Sequence, residues 1–103
     1  MKIKLELLYI DNCQNYYKML KNVEEAIQGL ENEVEFEKIL IEDEKTASKF
    51  NFLGSPTLLI NGQDLFGNKA PAKISLACRF YPDGMPSPEE IRKAITSNLK
   101  KYI

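Results

Sequence analysis

Two thiols are available for chemistry in this chain, Cys13 and Cys78, and no histidine accompanies them. The usual general base and the commonest metal ligand are therefore missing. Chemistry has to come from cysteine, carboxylates, tyrosine, lysine or backbone dipoles. Cys13 stands in the stretch YIDNCQNYYKML, where an apolar run stops and an amphipathic pattern starts. A thiol at the start of a helix meets unpaired N–H groups and about half a positive charge. Such positions lower a cysteine from a pKa of ~8.5 into a range of about 3.5–7.5. Half ionisation near neutral pH needs only ~2 kcal/mol. Asp11 opposes this by its charge, but it is also a candidate helix cap, with Gln14 completing an imperfect capping box. The expectation is an exposed, modestly activated thiol. The alternative is a small buried residue filling a strand–helix turn.

Positioning Cys13 requires a strand before it and a helix after it. The run KIKLELLYI alternates Ile3, Leu5 and Leu7 against Lys4 and Glu6, then turns wholly apolar, as in a strand buried toward its end. Tyr16, Leu20, Val23, Ile27 and Leu30 then recur at helical spacing, with Gly29 and Asn32 as stop signals. EVEFEKILI reads as a second strand, EDEKTASKFNFLG as a short helix ended by Gly54, and PTLLI as a third strand. Asn61 and Gly62 signal a hairpin, with a fourth strand from about Gln63. LACRFY continues that strand or forms an edge of its own. Ser87, Pro88 and Glu90 announce a last helix through a capping box. Its apolar stripe is Ile91, Ala94, Ile95, Leu99 and Tyr102, with Lys100 and Lys101 at the negative end.

The 103 residues fit one domain, 1–103, with a single core. A composition of 44% hydrophobic and 28% charged residues argues against disorder. A formal net charge of −1 gives no general attraction to phosphate backbones, so nucleic acid is not expected as a partner. MKIKLELLYI lacks the apolar core of a secretory leader, and no run approaches the roughly 20 apolar residues of a membrane span. The expected compartment is cytoplasmic, where both cysteines rest as thiols. No cofactor is expected.

The order strand, helix, strand, helix, strand, strand, helix, with Cys13 at a helix start and Ser55, Pro56 and Thr57 opening a hairpin, resembles the thioredoxin superfamily. The resemblance implies an α/β fold, βαβαββα, with a mixed sheet covered by three helices. The second cysteine of a CxxC motif is absent, because the stretch is CQNY and Tyr16 stands in its place. Two-thiol exchange therefore cannot run inside that loop. The chain more closely resembles small thioredoxin-like proteins often labelled alkylmercury-lyase-like. It shares with them Cys13, Asn15 and Tyr16, the string GSPTLLINGQDLF, and Cys78, Arg79 and Tyr81. The resemblance implies a cis bond before Pro56, turning Ser55 toward Cys13 and offering an edge to an extended partner. A trans proline at a strand start is the local alternative. Asn12, Tyr16, Ser55 and Pro56 are the expected substrate contacts, although Tyr16 also lies on the apolar helical stripe.

Three functions remain open. The first is thiol–disulfide exchange, with Cys13 as nucleophile and Cys78 as a remote second thiol, acting on a protein or small-molecule thiol or disulfide. The second is capture of a soft metal such as Cu(I) or mercury by the two thiolates. The third is a non-catalytic binding module that keeps the fold. Arg79 alternates with Cys78 and should face away from it, toward a carboxylate such as Asp64 or Asp83.

Overall fold

In the computed structural model, which describes residues 2–68 and 76–100, β1 runs Ile3–Tyr9 and is one of the two inner strands of the sheet. Its alternation sorts the core into two halves. Ile3, Leu5 and Leu7 point to one face, and Leu8 points to the other. β1 pairs in parallel with β2 (Val34–Leu40), with Ile3 opposite Val34 and Tyr9 opposite Leu40. On its other side it pairs antiparallel with β3 (Thr57–Ile60). β4 is only Gln63–Asp64, returning from the hairpin turn at Asn61 and Gly62, both with positive φ. The sheet order is β2-β1-β3-β4, a mixed four-stranded sheet.

α1 (Gln14–Ala26) and α3 (Pro88–Leu99) cover the first face, and α2 (Glu44–Lys49) covers the second. The buried stripe of α1 is Tyr16, Met19, Val23 and Ala26. It is rotated from the sequence expectation, because α3 packs alongside and leaves Leu20, Ile27 and Leu30 at the margin. α2 is shorter than expected. Asp43 caps it, its carboxylate accepting from the Thr46 amide at 2.7 Å, which holds that carboxyl below its ordinary range. The helix stops at Phe50, since Asn51 turns to a φ of 54°. Phe52 then inserts into the second core with 1% exposure, a burial that contributes about 1.5–3 kcal/mol.

α3 has the capping box expected from its sequence. Ser87 Oγ accepts from the Glu90 amide at 3.1 Å, and Glu90 Oε1 accepts from the Ser87 amide at 3.2 Å. Its Arg92 reaches across to α1, donating to the Ala26 and Gln28 carbonyls at 3.2 and 2.7 Å. α1 has no basic residue in its own last turn, so a neighbouring helix supplies the charge that its C-terminus attracts. Lys101 and Tyr102, placed on α3 by the sequence pattern, lie outside the described residues. Among the described residues, no helix is long and apolar enough to cross a membrane.

Candidate functional site

Cys13 is the N-cap of α1, in extended backbone with φ −95° and ψ 111°. Its carbonyl accepts the Tyr16 amide at 3.2 Å, and its side chain makes no capping hydrogen bond. Asp11, the expected cap, is instead exposed in the turn that precedes the helix, and α1 has no acidic residue in its first turn. Asn12 makes the turn possible by adopting a φ of 60°, a left-handed conformation that asparagine tolerates. Asn12 is exposed and close in sequence to the thiol.

The thiol itself corrects the expectation of exposure. Cys13 is 4% exposed and belongs to the apolar cluster of Leu5, Leu7, Tyr16 and Met19, with Tyr81 and Met85 packed against it. Tyr16 behaves as a core residue too, 8% exposed and stacked on Tyr9 with ring centroids 3.8 Å apart. Burial raises its hydroxyl pKa, with Tyr9 adding to the shift.

The Ser55–Pro56 bond is cis, and Ser55 is fully buried. Ser55 Oγ accepts the Ile10 amide at 3.1 Å, tying this loop to the end of the strand that delivers Cys13. The backbone of Ser55 is not open to a partner. Its N–H donates to Ala77 and its carbonyl accepts from Arg79, both at 2.9 Å. The stretch LACRFY therefore neither extends β4 nor forms a regular strand. It makes a single parallel bridge, Ser55 with Cys78.

Side-chain alternation along this bridge splits its residues between two sides. Arg79 and Tyr81 face inward, whereas Cys78 is exposed and Phe80 is 82% exposed. Arg79 meets Asp64 in a two-pronged ion pair, Nη1 to Oδ1 at 2.6 Å and Nη2 to Oδ2 at 3.1 Å. Burial works against the guanidinium charge, but the Asp64 bond and its charge help to outweigh it, and the net shift is upward. Asp64 Oδ2 also accepts the Phe66 and Asn68 amides, each at 3.2 Å. The ring of Tyr81 lies 4.7 Å from the Arg79 guanidinium carbon, and its hydroxyl donates to the Pro56 carbonyl. Burial pushes that hydroxyl up to about 12.

Gly54 has a role the sequence did not reveal. It is not the helix terminator. Its φ is +111°, and a Cβ there would stand 2.8 Å from the Arg79 Cβ. Glycine allows the bridging segment to lie flat against the loop before Pro56. Thr57 completes the corner, its hydroxyl donating to the Gly54 carbonyl at 2.5 Å.

The structure thus gathers Cys13, Tyr16, Ser55 and Pro56 around one end of the sheet, with 76–81 laid over them. The two thiols are not joined by a disulfide: Cys13 is buried in the cluster against which Tyr81 packs, and Cys78 is exposed. Of the two carboxylates offered for Arg79 by the sequence, the fold selects Asp64. Tyr81 is the site residue without an assigned role, and its signal was the two-residue spacing from Arg79, which puts both on one side of an extended segment. No protein-family model matches this chain, and no curated protein matches it. Among the described residues the fold is α/β, with a mixed four-stranded sheet and three helices.

Proposed function

We propose that this chain is a thioredoxin-like thiol protein, with Cys13 as the nucleophile of thiol–disulfide exchange and Cys78 as its second thiol. One observation carries the reading. A cysteine begins α1 at the carboxyl end of the inner strand β1, beside a cis proline loop that is hydrogen-bonded to that same strand end. No acidic residue in the first turn opposes negative charge on the sulfur as it reacts. The substrate is a disulfide, RSSR′. The Cys13 thiolate attacks one sulfur, a Cys13–SR bond forms, and R′S⁻ leaves and takes up a proton. Cys78, as thiolate, then attacks the Cys13 sulfur, forming an internal disulfide and releasing RSH. The protein loses two hydrogens and the substrate gains them. Both steps require 76–81 to leave its resting place. Phe66 and Phe80, both exposed and lining one surface pocket with Arg79 and Tyr81, suit a disulfide substrate with apolar neighbours. The reducing cytoplasm is the compartment in which both thiols would start the cycle.

Treatment with oxidised glutathione, followed by mass spectrometry of the intact protein, tests this. An internal disulfide is expected in the wild type, and glutathione held on Cys13 in Cys78→Ser. Addition confined to Cys78, with Cys13 never modified in the folded protein, would overturn the proposal. That outcome supports a second reading, a non-catalytic binding module. The 4% exposure of Cys13 and the filled backbone of Ser55 are the observations on its side.

A further inference from the structure

We infer that residues 76–81 are a built-in occupant of the strand position at Ser55, and that the Arg79 and Asp64 pair positions this strap and sets how often Cys13 is uncovered. The backbone of Ser55 offers one N–H and one carbonyl, as the edge of a sheet does to an extended peptide. Ala77 and Arg79 of the same chain already take both. The strap is held at separate points. Asp64 grips Arg79 at 2.6 and 3.1 Å, with side-chain exposures of 2% and 8%. Tyr81 donates to the Pro56 carbonyl and packs against the cluster that contains Cys13. Gly54 leaves space for the Arg79 backbone, which a Cβ would meet at 2.9 Å.

These fastenings are concentrated in a segment that forms one isolated bridge rather than a strand. Few backbone bonds hold it, so the side-chain pair is the chief restraint. Loss of that restraint releases the strap while β1, β3 and α1 keep their own hydrogen bonds. Local opening of this kind is the ordinary behaviour of segments with sparse backbone pairing. A partner that reaches Cys13 must first displace the strap.

The inference rests on the reading of Cys13 as the reacting thiol, but its test needs no exchange reaction. In a Cys78→Ser background, alkylation of Cys13 by iodoacetamide is followed by mass spectrometry at several low urea concentrations. Asp64→Asn is expected to raise the rate by roughly tenfold or more, the worth of a hydrogen bond to a charged group. The rate should depend only weakly on urea, as for a small opening rather than whole-chain unfolding. Tyr81→Phe is expected to raise it as well, and it decides the matter if Asp64→Asn does not fold. An unchanged rate in the folded variants would overturn the inference. So would acceleration that carries the steep urea dependence of global unfolding, since a merely structural role predicts that. Failure of exchange alongside an opened Cys13 would count against the proposed function alone.

Discussion

Arg79 donates through two nitrogens to the two carboxylate oxygens of Asp64, at 2.6 and 3.1 Å, across 15 residues of sequence. Both side chains are almost wholly removed from solvent. Their geometry is the fork-to-fork contact that a planar guanidinium forms with a carboxylate and an ammonium does not. It joins the end of β4 to the segment that covers Cys13.

Removing one partner of this pair leaves an uncompensated buried charge. Asp64→Ala is expected to cost about 3–5 kcal/mol in urea denaturation, with the Phe66 and Asn68 amides losing their acceptor as well. Replacing both residues together, Asp64→Leu with Arg79→Met, should cost clearly less, because no charge is left alone. A double variant as damaged as the single one would show that the pair is not the source of the loss.

Gly54→Ala tests the close approach from the other side. A φ of +111° strains any residue with a Cβ, by about 1–3 kcal/mol, and the new methyl would stand 2.8 Å from the Arg79 Cβ. Gly62→Ala meets no neighbour within 4 Å and carries only the backbone strain of its φ. The expected order of denaturation midpoints is wild type, then Gly62→Ala, then Gly54→Ala.

Alkaline stability should report on Tyr81. Its hydroxyl is raised from 10.0 in the unfolded chain to about 12 in the fold, chiefly by burial. The folded state therefore keeps a proton that the unfolded state loses. The contribution is fully present below pH 10.0 and is lost as pH rises toward about 12. It is on the order of 2 kcal/mol. Urea titrations across this window should show a steeper fall for wild type than for Tyr81→Phe, and parallel curves would refute the assignment.

The two thiols should label in a fixed order. Cys78 is exposed and Cys13 is 4% exposed, so a neutral alkylating reagent should modify Cys78 first in the folded protein. Peptide mapping after partial reaction reads the order. In denaturant the difference should vanish, because it comes from burial.

Ser87→Ala should cost about 1 kcal/mol, by removing one arm of the capping box that starts α3. Thermal or urea unfolding measures it. Glu90→Gln, which keeps an acceptor for the Ser87 amide, should cost less.

Elements with local signals could be placed from the residues alone. Alternation in the first strand, Asn61 and Gly62 at the hairpin, and Ser87 with Glu90 at the last helix each act over a few residues, and each appears where expected. The helix start at Cys13 was legible for the same reason, and Arg79 was legible as facing away from Cys78. Tertiary structure decided which stripe of α1 is buried, because α3 chose it by packing alongside. It also decided that Gly54 serves a close approach and that Asp64, rather than Asp83, receives Arg79. Most of all, it decided the burial of Cys13. Exposure of a thiol depends on what distant chain lies over it, and the covering segment begins 63 positions later, at residue 76. Contacts at that separation are fixed by the shared core and one backbone bridge at Ser55, which no local pattern of residues encodes.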